Sequence, residues 1–188
     1  MDTIIYGDSL AGSYGLSEGM TWPELLKQST ELKISRVIFK NGYTTTDLLE
    51  CLEREVLFHA PERVIFICGT NDAVAMRRAE DIIETVNVIA GTIREKGANP
   101  LWLIPPQVDE DQAAGTWQDP LSVYRRTSEI LSNVRRISPD RITFKAIDLE
   151  KVRLSYLAFG RKPLTDGVHF DRGFHEYLAE ELREILLD

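Results

Sequence analysis

The sequence predicts an α/β fold: a three-layer α/β/α sandwich around a five-stranded parallel sheet of flavodoxin-like order 2-1-3-4-5. Three observations carry this expectation. Short apolar runs alternate with helical patterns along the whole chain, giving five strand–helix units in sequence. The run R-V-I-F-I-C at 63–68 lacks polar alternation, as in a strand covered on both faces. Right-handed crossovers then leave few topologies, and ligands of such sheets bind beyond the carboxyl ends of the strands, near the switch point.

The elements follow in order. T-I-I-Y at 3–6 reads as the first strand, and W-P-E-L-L-K-Q-S-T-E-L at 22–32 as the first helix. Thr21 is its candidate N-cap, and Pro23 sits in the first turn, where a missing N–H costs nothing. S-R-V-I-F-K at 35–40 is the second strand, and residues 45–59 place apolar side chains at helical spacing. After the third strand at 63–68, a helix runs from Ala79 to Lys96, with Gly97 as its stop. P-L-W-L-I-P at 100–105 is the fourth strand, residues 120–137 a helix, I-T-F-K-A-I at 142–147 the fifth strand, and about Arg172–Leu187 the closing helix. The least regular stretch is P-P-Q-V-D-E-D-Q-A-A-G-T-W-Q-D-P at 105–120. With no linker, repeat or low-complexity tract, residues 1–188 read as a single domain.

Composition narrows the function classes. Net charge is −8, from 22 basic and 30 acidic residues, which disfavours a nucleic-acid surface and anionic membranes. Cys51 and Cys68 show no metal-ligand spacing, and Cys68 lies in an apolar strand, as an inert core thiol does. No signal-like or membrane-spanning run occurs, so a cytoplasmic location and no stable membrane anchor are expected. Neither G-x-x-x-x-G-K-[ST] nor G-x-G-x-x-G occurs, which weighs against a nucleotide-binding module.

The strand ends carry the chemistry. The first delivers Gly7-Asp8-Ser9, the second Asn41-Gly42-Tyr43-Thr44-Thr45, and the third Gly69-Thr70-Asn71-Asp72. Asp166-Gly167-Val168-His169 precedes the last helix. Converging on one sheet edge, these supply a hydroxyl, backbone donors, an amide, an imidazole and a carboxylate. That set suits nucleophilic acyl transfer. Serine needs a base, histidine is a base near neutral pH, and a carboxylate on its other nitrogen holds the tautomer. Asp166 and His169, at i and i+3 on a turn, can pair. Ser9 N–H, Gly42 N–H and the Asn71 amide are the candidate oxyanion donors, Gly42 because backbone must approach the substrate there. Asp8 reads as structural, and Asp72 as a brace for its loop.

Together G-D-S-L at 7–10, G-Y-T-T from Gly42, G-T-N-D at 69–72 and D-G-V-H at 166–169 resemble the conserved blocks of the SGNH (GDSL) esterase and lipase family, and T-W-P-E-L-L at 21–26 resembles the helix that follows the nucleophile. The family letters fall on Ser9, Gly42, Asn71 and His169. The resemblance implies the SGNH hydrolase fold, a Ser9–His169–Asp166 triad, no cofactor, and a small-molecule ester or thioester as substrate. The chain departs from it at Phe170, where a proline is common. The pattern G-x-S-x-x-G around Ser9 differs from the G-x-S-x-G elbow of the larger α/β-hydrolase class and places the nucleophile at a helix start, whose N-terminus favours negative charge.

Other residues have simpler readings. Ser9 alone is a common cap, and Asn71 alone a turn residue. His169, Asp171 and His175 with Asp166 could suggest a metal, but no ligand motif is matched and His175 is expected at the surface or half-buried on the last helix, so no metal is expected. His59 reads as a helix-end residue. Trp22 and Trp102 read as packing residues, while Trp117 is a candidate pocket wall. Leu10, Phe159 and Phe170 are further wall candidates. The expected activity is that of a carboxylic ester hydrolase, a GDSL-type lipase or esterase. Its rivals are action on acetylated sugars or thioesters at the same site, and a non-catalytic binding module.

Overall fold

A computed structural model of the chain describes residues 1–12, 14–17 and 19–187. Five strands, β1 (Asp2–Gly7), β2 (Lys33–Phe39), β3 (Arg63–Ile67), β4 (Asn99–Ile104) and β5 (Lys145–Asp148), pair in parallel in the order β2-β1-β3-β4-β5. The sheet is the middle of three layers. One face is covered by α2 (Thr45–Glu55), α4 (Ala79–Glu95) and α6 (Leu121–Arg141). The other is covered by α1 (Trp22–Gln28), α7 (Leu149–Ala158) and α8 (Arg172–Leu187).

The period of two in the strands builds both cores at once. Ile4, Tyr6, Val64, Phe66 and Trp102 point to the first face, where Leu48, Leu52, Ile82 and Ile89 meet them. Ile5, Ile65, Ile67, Leu101 and Leu103 point to the second and meet Trp22, Leu26, Phe174, Leu178 and Leu182. Each such side chain contributes roughly 1.5–3 kcal/mol by leaving water. The polar tips inside are matched: Tyr6 Oη donates to the Leu48 carbonyl, and Trp22 Nε1 to that of Leu10.

The first helix ends at Gln28, four residues earlier than its apolar pattern suggests. Residues 57–59 form a separate short 3₁₀ turn after α2. The 120–137 helix continues to Arg141, with Pro139 in its last turn. Three helices lie where no element was expected: α3 (Thr70–Val74), α5 (Glu110–Trp117) and α7. Within α5 only Ala113 is buried, so the helix carries almost no apolar periodicity to read. No helix among the described residues is long and apolar enough to cross a membrane.

Candidate active site

Every expected reacting group lies at the carboxyl edge of the sheet. After β1, the Asp8 carboxylate accepts the Leu10 N–H at 2.9 Å and closes the 3₁₀ turn Ser9–Ala11. Asp8 is thus the cap of that turn, and Ser9 is its first residue. The turn is three residues long, so the full helix dipole anticipated behind Ser9 is missing there. After β2, Gly42 adopts φ +80°. Open space surrounds its Cα, so the left-handed backbone explains the glycine, and crowding does not. After β3, Gly69 at φ +121° leads into α3, which carries Asn71 and Asp72. The Asn71 amide donates to the Tyr43 carbonyl at 2.9 Å, which fixes its orientation and leaves its second N–H without an acceptor among the described residues. The N–H groups of Ser9 and Gly42 have no acceptor among the described residues.

Asp72 is fully buried and braces the two loops together. It accepts the Thr45 N–H and hydroxyl at 2.8 and 2.7 Å and pairs with Arg77 at 2.9 Å. Arg77 bonds in turn to Thr46 and Thr85. This network ties the start of α2 to the segment bearing Asn71.

The segment 163–171 holds the imidazole. The Thr165 N–H donates to the His169 carbonyl, and the Asp171 N–H to that of Pro163, so the segment is a tight loop. It is tied to α5: the Asp109 N–H donates to the Gly167 carbonyl at 2.8 Å, and Gln112 Nε2 to that of Thr165 at 2.9 Å. Gly167 sits at φ +89°, and a Cβ there would run into the α5 backbone at Ala113 and Asp109. A helix in the least regular stretch of sequence is what fixes this loop. One Asp166 oxygen accepts the N–H groups of Val168 and His169 at 2.9 and 2.7 Å, and the other meets His169 Nδ1 at 2.8 Å. Burial opposes the Asp166 charge, but the His169 ring and these two N–H groups outweigh it and hold the carboxyl below its ordinary range. His169 Nε2 lies 2.9 Å from Ser9 Oγ.

These groups open onto a cavity of about 310 Å³. Ser9, Gly42, Asn71, Trp117 and His169 line it. Tyr14 was not anticipated. Its ring stacks on that of His169 at a centroid distance of 3.9 Å, and Trp117 lies 5.8 Å from Tyr14 and 6.0 Å from His169. Nothing in the local pattern around Tyr14 separates it from an ordinary loop tyrosine. The other three wall candidates are elsewhere. Leu10 is buried in the second core, and Phe170 is buried against Phe174 and His175. Phe159 caps α7 at the surface, beside Tyr177. Leu10 and Phe170 each neighbour a site residue in sequence but point to the core face of their turns.

His175 is also corrected. It is buried, and its Nδ1 accepts the Trp22 N–H at 3.0 Å at the start of α1. Burial pushes its pKa down to about 4, so it stands neutral as a hydrogen-bond acceptor. Asp171 accepts the Phe174 N–H at the entry to α8. Among the described residues no three His, Cys, Asp or Glu side chains converge in a way that would hold a metal. His59 is exposed at the end of its 3₁₀ turn, and Cys51 and Cys68 are free thiols.

Comparison with solved structures places this architecture. A lipase/acylhydrolase from Enterococcus faecalis superposes with a TM-score of 0.72 at 22% identity, covering 100% of this chain and 96% of that one. A member of the lipolytic G-D-S-L family from Veillonella parvula gives 0.72 at 20%, covering 98% and 97%. The fold is that of the GDSL acylhydrolases. An acetyl xylan esterase shares this GDSL fold at a TM-score of 0.73 and 20% identity, covering 99% of this chain and 100% of that one. Among curated proteins, thioesterase 1/protease 1/lysophospholipase L1 of Escherichia coli is 29% identical over 99 residues, 52% of this chain and 48% of that protein. The chain thus matches about half the length of that relative. No family model matches the chain.

Proposed function

We propose that the chain hydrolyses carboxylic esters through an acyl-serine intermediate, with Ser9, His169 and Asp166 as its triad. The observation that carries this reading is the unbroken line from Asp166 through both ring nitrogens of His169 to Ser9 Oγ, at 2.8 and 2.9 Å. Ser9 Oγ attacks the carbonyl carbon and gives its proton to His169 Nε2. The carbonyl oxygen becomes an oxyanion, which the N–H groups of Ser9 and Gly42 and the free N–H of Asn71 receive. As the carbon–oxygen bond to the alcohol breaks, His169 returns the proton to the leaving oxygen. A water molecule deprotonated by His169 then attacks the acyl-serine. The acid departs, and Ser9 regains its proton. Asp166 stays ionised throughout and steadies the imidazolium. The names of the similar proteins include thioesterase and acetyl xylan esterase activities, which the same chemistry accommodates.

The test is intact mass after exposure to a fluorophosphonate probe. Wild type is expected to gain one adduct and Ser9→Ala none, with both proteins folded by circular dichroism. A folded wild type that takes no adduct would remove the nucleophile and bring the binding-module reading forward. The oxyanion assignment has its own test. Asn71→Ala is expected to lower kcat on a p-nitrophenyl ester by about 10²–10³, the range for one lost donor. Full activity in that variant would sink the assignment.

A further inference from the structure

The cavity beside Ser9 has more chemistry on its walls than ester hydrolysis requires. Three aromatic residues line it: Tyr14, Trp117 and Tyr124. Tyr14 and Trp117 are each 39% exposed, so their rings are presented to the cavity and not consumed by the core. A single carboxylate, Asp119, stands on the same wall, and no Lys or Arg side chain lines the cavity among the described residues. Asp119 is held in place. One of its oxygens accepts the Tyr124 hydroxyl at 3.0 Å, while the other has no partner among the described residues. Tyr124 is nearly fully buried; burial first, and the bond to Asp119 second, push its hydroxyl up to about 12, so it remains a donor to that carboxylate. Gln118, between Trp117 and Asp119, adopts φ +56° as the left-handed cap that ends α5, so Trp117 closes that helix and Asp119 opens the segment leading to α6.

We propose that this cavity selects esters whose alcohol carries a positively charged ammonium group, with the rings of Trp117 and Tyr14 and the free oxygen of Asp119, which the buried Tyr124 hydroxyl positions, as its receptor. This inference rests on the ester-hydrolase reading and adds the substrate class to it. The faces of aromatic rings attract cations, most strongly when the cation sheds water, and a carboxylate supplies the opposite charge. The side of the cavity follows from the chemistry. His169 protonates the leaving alcohol, so that alcohol lies against the imidazole, and Trp117 and Tyr14 are the rings beside it. An alcohol bearing phosphate would instead face Asp119 with no cation to offset it, a mismatch that rejects as effectively as the match attracts. A neutral sugar would stack on the same rings but would bring no charge to answer the carboxylate.

The experiment compares two esters of one acid that differ only in charge: butyrylcholine and 3,3-dimethylbutyl butyrate, in which carbon replaces the quaternary nitrogen. Wild type at low salt is expected to favour butyrylcholine in kcat/KM by about 10-fold, the worth of a partly desolvated cation on aromatic and carboxylate partners. The ratio is expected to fall toward unity in Asp119→Asn, whose amide oxygen still accepts from Tyr124. Trp117→Leu, which removes a ring and no charge, is expected to lower it as well. Tetramethylammonium should inhibit wild type competitively and Asp119→Asn far more weakly. Equal rates on the two esters in wild type, or a preference that survives both substitutions, would overturn the proposal while leaving ester hydrolysis standing. If neither ester is cleaved and no fluorophosphonate adduct forms, the hydrolase reading falls first and this inference falls with it.

Discussion

Asp166→Asn is expected to lower kcat by about 10⁴-fold without unfolding the chain, the scale seen when a triad histidine is held in the wrong tautomer. The size of the effect follows from how the carboxylate is held. One Asp166 oxygen accepts two backbone N–H groups, from Val168 and His169. An asparagine placed there must keep its single carbonyl oxygen on those donors, or leave both buried N–H groups without a partner. Its amide NH₂ is therefore aimed at His169 Nδ1, 2.8 Å away in the wild type. An NH₂ group only donates, so Nδ1 must accept and the ring proton moves to Nε2. A protonated Nε2 donates to Ser9 Oγ and cannot take its proton. The geometry survives while the base is lost. Pre-steady-state acylation by p-nitrophenyl acetate measures this step directly. A variant within about 10-fold of wild type would show that Asp166 does not set the tautomer and would reassign it to loop structure alone.

The same loop shows what the chain reveals in sequence and what it conceals. Strands β1, β3 and β4 are continuous apolar runs because both faces are buried, so their positions are plain, and with them the strand ends that bear Ser9 and Asn71. The order of the sheet follows from alternation and handedness, both of which act through local chain geometry. The helix that fixes the Asp166 loop, α5, is hidden because it presents backbone and a glycine-sized gap to its partner in place of an apolar stripe. Tyr14 and His175 depend on contacts across long stretches of chain. Tyr14 meets His169, and His175 meets the Trp22 N–H, and no periodicity records either. The wall residues divide for a related reason. Leu10 and Phe170 sit next to site residues, but on turns whose alternate sides face the core, and proximity in sequence says little about direction.

Asp8→Asn is expected to stabilise the chain at alkaline pH by as much as about 4 kcal/mol, although it replaces the residue next to Ser9. Asp8 is fully buried, and among the described residues only one of its oxygens is bonded, to the Leu10 N–H. Burial raises its pKa from 3.8 to about 7, with the nearby Asp72 carboxylate adding to the effect and the Leu10 N–H working against it. The folded chain therefore keeps a proton that the unfolded chain has already lost between about pH 4 and pH 7. Stability must fall as pH rises through that window. Below it both states are protonated and Asp8 contributes nothing; above it the full cost remains. An asparagine cannot ionise, and its carbonyl still accepts from Leu10, so the variant escapes the cost. The difference between variant and wild type is expected to be near zero at pH 4 and largest by pH 8. His175 works in the opposite direction between about pH 4 and 6.5, since burial keeps it neutral in the fold, but it is present in both proteins and cancels from the difference. Urea unfolding of the pair at pH 4, 6 and 8 measures the trend. Equal stability at pH 8, or a more stable wild type there, would mean that the buried carboxyl is already solvated or bonded. The wild-type cost falls on the turn that carries Ser9 at the cavity wall, in keeping with a trade of stability for function.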